Sequence, residues 1–191
     1  MTDETLALDT RDRLPDALRA LVEQIPRDSW QTHPNFDQLV SFWLERHMMF
    51  RKLMDMLQGD AQALIDARMD QRDYANRLGR FGGMFVNELH GHHQIEDHHY
   101  FPVLARAEPD FARGFEILDT DHHAIDATLN RFVERANAVL QNSGDPIVFR
   151  DTTGRLSEEM TSMARLLDRH LEDEEELVAP VLLRHGPALF S

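Results

Sequence analysis

Apolar positions recur at helical spacing along almost the whole chain. Over 12–24, Leu14, Leu18 and Leu21 or Val22 share one face, which predicts a short amphipathic helix. Pro15 falls in its first turn, where proline is tolerated, and Pro26 stops it. A longer helix is expected over 34–58, with Pro34 near its start and a stripe of Phe36, Val40, Trp43 or Leu44, Phe50, Met54 and Leu57. Gly59 reads as its end, and 60–72 as another short helix. The next helix spans 73–106, although Gly82 and Gly83 each cost about 1 kcal/mol in a helix interior. After the Glu108-Pro109 turn, Phe115, Leu118, Ile125, Leu129 and Phe132 or Val133 line a third long helix over 110–142. The loop Asn142-Ser-Gly-Asp-Pro146 leads to the last helix, 150–184. Its stripe is Leu156, Met160, Met163, Leu166 or Leu167, Leu177 and Val181, and His185-Gly186-Pro187 closes it. Residues 1–11 are polar and expected to be loose. No strand pattern competes. The expected fold is all-α, an up-down-up-down four-helix bundle with a short extra N-terminal helix. The matching domain division is an N-terminal segment over 1–33 and the bundle over 34–191.

Polar residues interrupt these stripes at a few places, and they carry the chemistry. His47 lies in the stripe of the first long helix, His122 in the third, and His170 and Glu174 in the fourth. The second carries 89–102, Leu-His-Gly-His-His-Gln-Ile-Glu-Asp-His-His-Tyr-Phe-Pro, which holds five of the eleven histidines. Residues four apart on a helix are displaced by one turn and about 40°, so His92 and Glu96 can reach one point. The same fragment recurs as His170 and Glu174, and a proline follows each histidine ten residues on, at Pro102 and Pro180. His92 and His170 are the histidines with Glu four residues on. His122 lies 21 residues before Ser143, and His170 lies 24 after Pro146. Those legs are roughly 32 and 36 Å, so the two imidazoles return to similar heights.

Four imidazoles and two carboxylates on inward faces are costly unless satisfied, and metal ions would satisfy them together. Two carboxylates able to bridge suit a pair of ions. Nitrogen and oxygen donors without sulfur point to iron, manganese or zinc. The candidate metal ligands are therefore His47, His92, Glu96, His122, His170 and Glu174. His93, near Asp97, and His123 are rotated off the stripes. His99 returns to the face of His92 and reads as a further ligand or a supporting residue; Asp126 is a weaker candidate. His33, His90, His98 and His185 read as surface or local-structure residues, and Glu172, Glu175 and Glu176 as a solvated face.

Composition removes several alternatives. The chain has no cysteine, which excludes disulfides, thiolate metal sites and cysteine nucleophiles. A formal charge of −14 argues against a nucleic-acid partner, because phosphate binding needs a basic surface. No apolar run has signal-peptide or membrane-spanning length, so a cytoplasmic protein without a membrane partner is expected.

Over 34–184 these motifs resemble the hemerythrin-like, HHE cation-binding family: His47, then His92 with Glu96, then His122, then His170 with Glu174. The resemblance implies a four-helix bundle with a non-haem di-iron centre of two iron ions. The two glutamates and an oxo or hydroxo group would bridge the ions. It also implies binding or sensing of oxygen, nitric oxide or peroxide. The alternatives are an iron-storage or iron-sensing module, a di-iron oxidase or peroxidase-type enzyme, and a structural zinc site. Metal binding or sensing is favoured over a dedicated enzyme. Oxygen-carrying hemerythrins have a second His four residues on in the third helix and His-x-x-x-x-Asp in the fourth. Here position 126 is Asp and the fourth helix has His-x-x-x-Glu, which counts against reversible oxygen carriage and leaves metal binding in place. Ferritin-like di-iron bundles need Glu-x-x-His on two helices, and this chain has it once, from Glu96 to His99.

Overall fold

A computed structural model describes residues 6–142 and 144–190. Residues 1–5 of the segment expected to be loose, and Ser143 of the predicted loop, lie outside the described residues. The described residues are helical, with no strand, and are consistent with a helical bundle. The α-helices are α1 (Asp16–Gln24), α2 (Gln38–Ile65), α3 (Gln71–Arg77), α4 (Gly83–Ile95), α5 (Phe101–Ala107), α6 (Ala112–Gln141) and α7 (Pro146–His185). Among the described residues, no helix is long and apolar enough to cross a membrane.

The ends of these helices have local causes. α2 starts at Gln38 rather than near Pro34, because Asp37 accepts from the backbone N–H groups of Leu39 and Val40, both at 3.0 Å. It also runs through Gly59 instead of stopping there, since Ala61 and Leu64 continue the buried face. A glycine weakens a helix interior but ends a helix only where the chain turns left-handed. That turn comes later, at Ala67 with φ of 57°, and Asp70 then caps α3. Asp145 caps α7 by accepting from Ile147 and Val148. Gly186, with φ of +68°, ends α7, its N–H bonding the Leu182 carbonyl at 2.8 Å.

The single helix expected over 73–106 is instead three helices joined by two wide π-turns, Leu78–Gly82 and Glu96–Tyr100. The second precedes Pro102, whose ring would press on the carbonyl four residues back in a regular helix. A turn one residue wider relieves that conflict. It also rotates everything after Glu96 relative to His92.

Contacts divide the chain into two compact units. One comprises the residues up to Met48, His93–Ala124, and those from Leu167 onward. Its core joins Leu14, Leu18 and Leu21 of the N-terminal segment to Trp43, Phe101, Phe115 and Leu177. The other comprises Met49–His92 and Ile125–Leu166. Its buried rings pack edge to face, Phe50 on Phe85, Phe85 on Phe132, and Tyr74 on Phe149.

Candidate metal centre

Two groups of ligand-capable side chains stand out. His47 from α2, His92 from α4, Glu96 at the start of the wide turn and Glu174 from α7 each offer one donor atom, all within 4.8 Å of one another. His93, His122 and His170 form a second group at the same spacing. All seven residues are buried, between 0% and 8% exposed. The imidazoles of the second group crowd together. His93 stacks on His122 with centroids 4.0 Å apart, and His170 meets His122 edge-on at 4.8 Å.

The inward atoms converge without hydrogen-bonding to one another. Glu174 Oε2 lies 3.4 Å from both His47 Nε2 and His170 Nε2, and Glu96 Oε2 lies 3.8 Å from His122 Nε2. Two ligands of one ion, each about 2.0–2.2 Å from it, stand about 3–3.5 Å apart. His122 Nε2, His170 Nε2 and both oxygens of Glu174 are buried and make no hydrogen bond. Buried polar atoms left in that condition are rare, and a cation is what would satisfy them.

The outward nitrogens are held by carboxylates. His47 Nδ1 donates to Glu175 at 3.1 Å, His122 Nδ1 to Asp97 at 2.7 Å, and His170 Nδ1 to Asp121 at 3.4 Å. A proton on Nδ1 leaves the Nε2 lone pair directed inward, which is how metal-binding histidines are oriented. Trp43, one turn before His47, donates its indole N–H to Glu96 Oε1 at 2.7 Å.

Burial sets the charge state. It lowers the His170 imidazole from 6.5 to about 4, so that ring is neutral at neutral pH. It raises the Glu174 carboxyl well above its ordinary value, with the nearby Glu96 carboxylate adding to the effect. Glu96 is raised too, again by burial. Burial would also raise Asp121, but hydrogen bonds from Arg11 and His170 outweigh it and hold that carboxyl low.

The family model of the hemerythrin HHE cation-binding domain matches residues 38–185. The chain belongs to that family. Curated proteins and solved structures gave no match. The His/Glu groups and the HHE domain together indicate a metal-binding protein.

The structure gathers the six residues singled out from sequence, four in one group and two in the other, and corrects the reading around them. His93 is not rotated away from the site: it is buried, 2% exposed, in the group with His122 and His170. Its neighbour Asp97 serves His122 instead. His99 is exposed and in neither group, because the wide turn shifts it off the face of His92. Asp126 also stays outside, 3.6 Å from His90. Glu175 is buried against His47 rather than solvated, and Glu176 pairs with Arg19. His123 is exposed, with Nδ1 on the Asp119 carbonyl. A single-helix wheel could not find His93, since adjacent residues diverge by about 100°.

Proposed function

We propose that this is a non-haem di-iron protein of the cytosol that binds or senses oxygen, nitric oxide or peroxide, with Glu96 and Glu174 bridging the two ions. The observation that carries this reading is the position of the two carboxylates. Both belong to the group containing His47 and His92, and their Oε2 atoms also approach the other group, at His170 and His122. His47 and His92 would hold one ion, and His93, His122 and His170 the other. With two imidazoles instead of three, the His47 and His92 position would be the one to take an incoming small molecule. Iron there would supply a redox-active centre with an open coordination position. The protein's part is to bury the donors and to aim them at the ions. Zinc fits less well, because carboxylates bridging two ions suit iron better than a single closed, four-coordinate zinc site. An up-down-up-down course of the long helical stretches belongs to the same proposal. So does the absence of nucleic-acid and membrane partners, which agrees with a charge of −14.

The test is the optical spectrum of protein purified in air, then reduced and exposed to oxygen or nitric oxide. Iron charge-transfer bands that change with the gas are expected. Bound iron with no response to either gas, or to peroxide, would contradict the small-molecule role and favour iron handling. Sustained peroxide turnover would mark an enzyme instead.

A further inference from the structure

The segment before residue 38 lies outside the matched family domain, yet it grips the centre's acidic surroundings. Arg11, Arg19 and Arg27 are spaced eight residues apart, and each pairs with a different acid of the α7 sequence Asp173-Glu-Glu-Glu176. Arg11 Nε donates to Asp173 at 2.8 Å, Arg19 Nε to Glu176 at 2.6 Å, and Arg27 Nη1 to Glu175 at 2.6 Å. Among the described residues, Glu174 alone of the four has no arginine partner. Two of the contacts continue to a candidate ligand. The other oxygen of Glu175 faces His47 Nδ1. Arg11 also forks onto both oxygens of Asp121, Nη1 to Oδ1 at 2.8 Å and Nη2 to Oδ2, and Asp121 faces His170 Nδ1. His47 belongs to one candidate ion position and His170 to the other.

We propose that Arg11 and Arg27 are positioning residues of the metal centre, one for each ion position. Each guanidinium fixes a carboxylate, and that carboxylate fixes an imidazole with its Nδ1 proton outward and Nε2 inward. A carboxylate held on one side only can rotate; one clamped by a planar guanidinium cannot do so freely. The Arg11 side chain is 2% exposed between acids that are 3% and 0% exposed, a costly arrangement that well-packed apolar residues would match for stability. Orientation of His170 explains why charges stand there. The backbone N–H of Leu14 adds a bond to Asp173 at 3.1 Å, and Leu14, Leu18, Leu21, Val22 and Trp30 bury the segment in the core. The segment therefore acts as a fixed clasp. Arg19 and Glu176 supply the internal control, since among the described residues their pair leads to no histidine.

This proposal deepens the metal-site reading and is tested in the full chain with Arg27→Gln, Arg11→Gln and Arg19→Gln. Iron release to excess chelator is measured alongside the ring-nitrogen NMR signals of the metal-free protein. Arg27→Gln and Arg11→Gln should each weaken iron retention about 10–100-fold, the usual effect of losing a residue behind a ligand. Arg27→Lys should restore part of it, and Arg19→Gln should match the wild type. Equal release from all three glutamine variants would overturn the proposal. Arg11→Gln takes a buried guanidinium from Asp121 and Asp173, of which Asp173 keeps Arg169 at 2.7 Å; should it not fold, Arg27, with a side chain 41% exposed, carries the test. A wild type that takes up no iron would refute the metal reading, and the ring signals then decide the clasp's role alone. A shifted His47 signal in Arg27→Gln supports it, and an unchanged one overturns it.

Discussion

His93 changes how the centre is put together. With it, the buried imidazoles divide into a pair, grouped with Glu96 and Glu174, and a trio that each of those carboxylates approaches at one ring. Replacing His92, His93 or His170 with Ala should each remove at least one of two bound ions, measured as metal per chain. His99→Ala and His185→Ala should keep both, and equal retention in all five would refute the ligand assignment. Protons should leave as metal enters. The carboxyls of Glu96 and Glu174 are raised by burial, so they hold protons at pH values where ordinary carboxylates do not, and a cation must displace them. His170, lowered to about 4, adds no competing proton until the solution is acidic. Affinity should therefore rise with pH, and calorimetry in two buffers of different ionisation enthalpy should show net proton release. Heats independent of the buffer would contradict this. The other six residues were legible because each breaks an apolar stripe. His93 was not, because one helix seen alone cannot show that two ion positions let it use two adjacent residues.

Among the elements, α2 and the wide turns separate what local sequence specifies from what tertiary contacts decide. Gly59 suggested a helix end, but α2 continues for another turn and more because its buried face continues. Nothing lies within 4 Å of where a Gly59 Cβ would sit, so Gly59→Ala should stabilise by about 0.5–1 kcal/mol in urea denaturation. Gly114 is the opposite case. A Cβ there would sit 2.6 Å from Leu177 Cδ2 in a packed core, and Gly114→Ala should destabilise by about 1–3 kcal/mol. Reversed signs for the two glycines would contradict the packing described. The wide turn after Glu96 was not legible, since no residue type dictates it. It follows from fitting Glu96 into the site with Pro102 six residues on. The arginine pairs of the N-terminal segment left no signal either, because partners some 160 residues apart have no spacing to read.

For the whole molecule, the helical class and the family could be read from sequence, because helical periodicity and the two His-x-x-x-Glu pairs run through most of the chain. Burial against the remote N-terminal segment could not. Its leucines and Trp30 complete a core that α5, α6 and α7 leave open on one side, and its arginines meet acids that an isolated helix would leave in water. The proposed centre requires that two carboxylates serve two metal positions. The most direct measurement is iron per chain in protein loaded anaerobically, with Mössbauer spectra to show whether the ions interact magnetically. Two interacting irons per chain are predicted, falling to one or none in Glu174→Ala. A single isolated iron in the wild type, or no iron with the fold intact, would contradict the account.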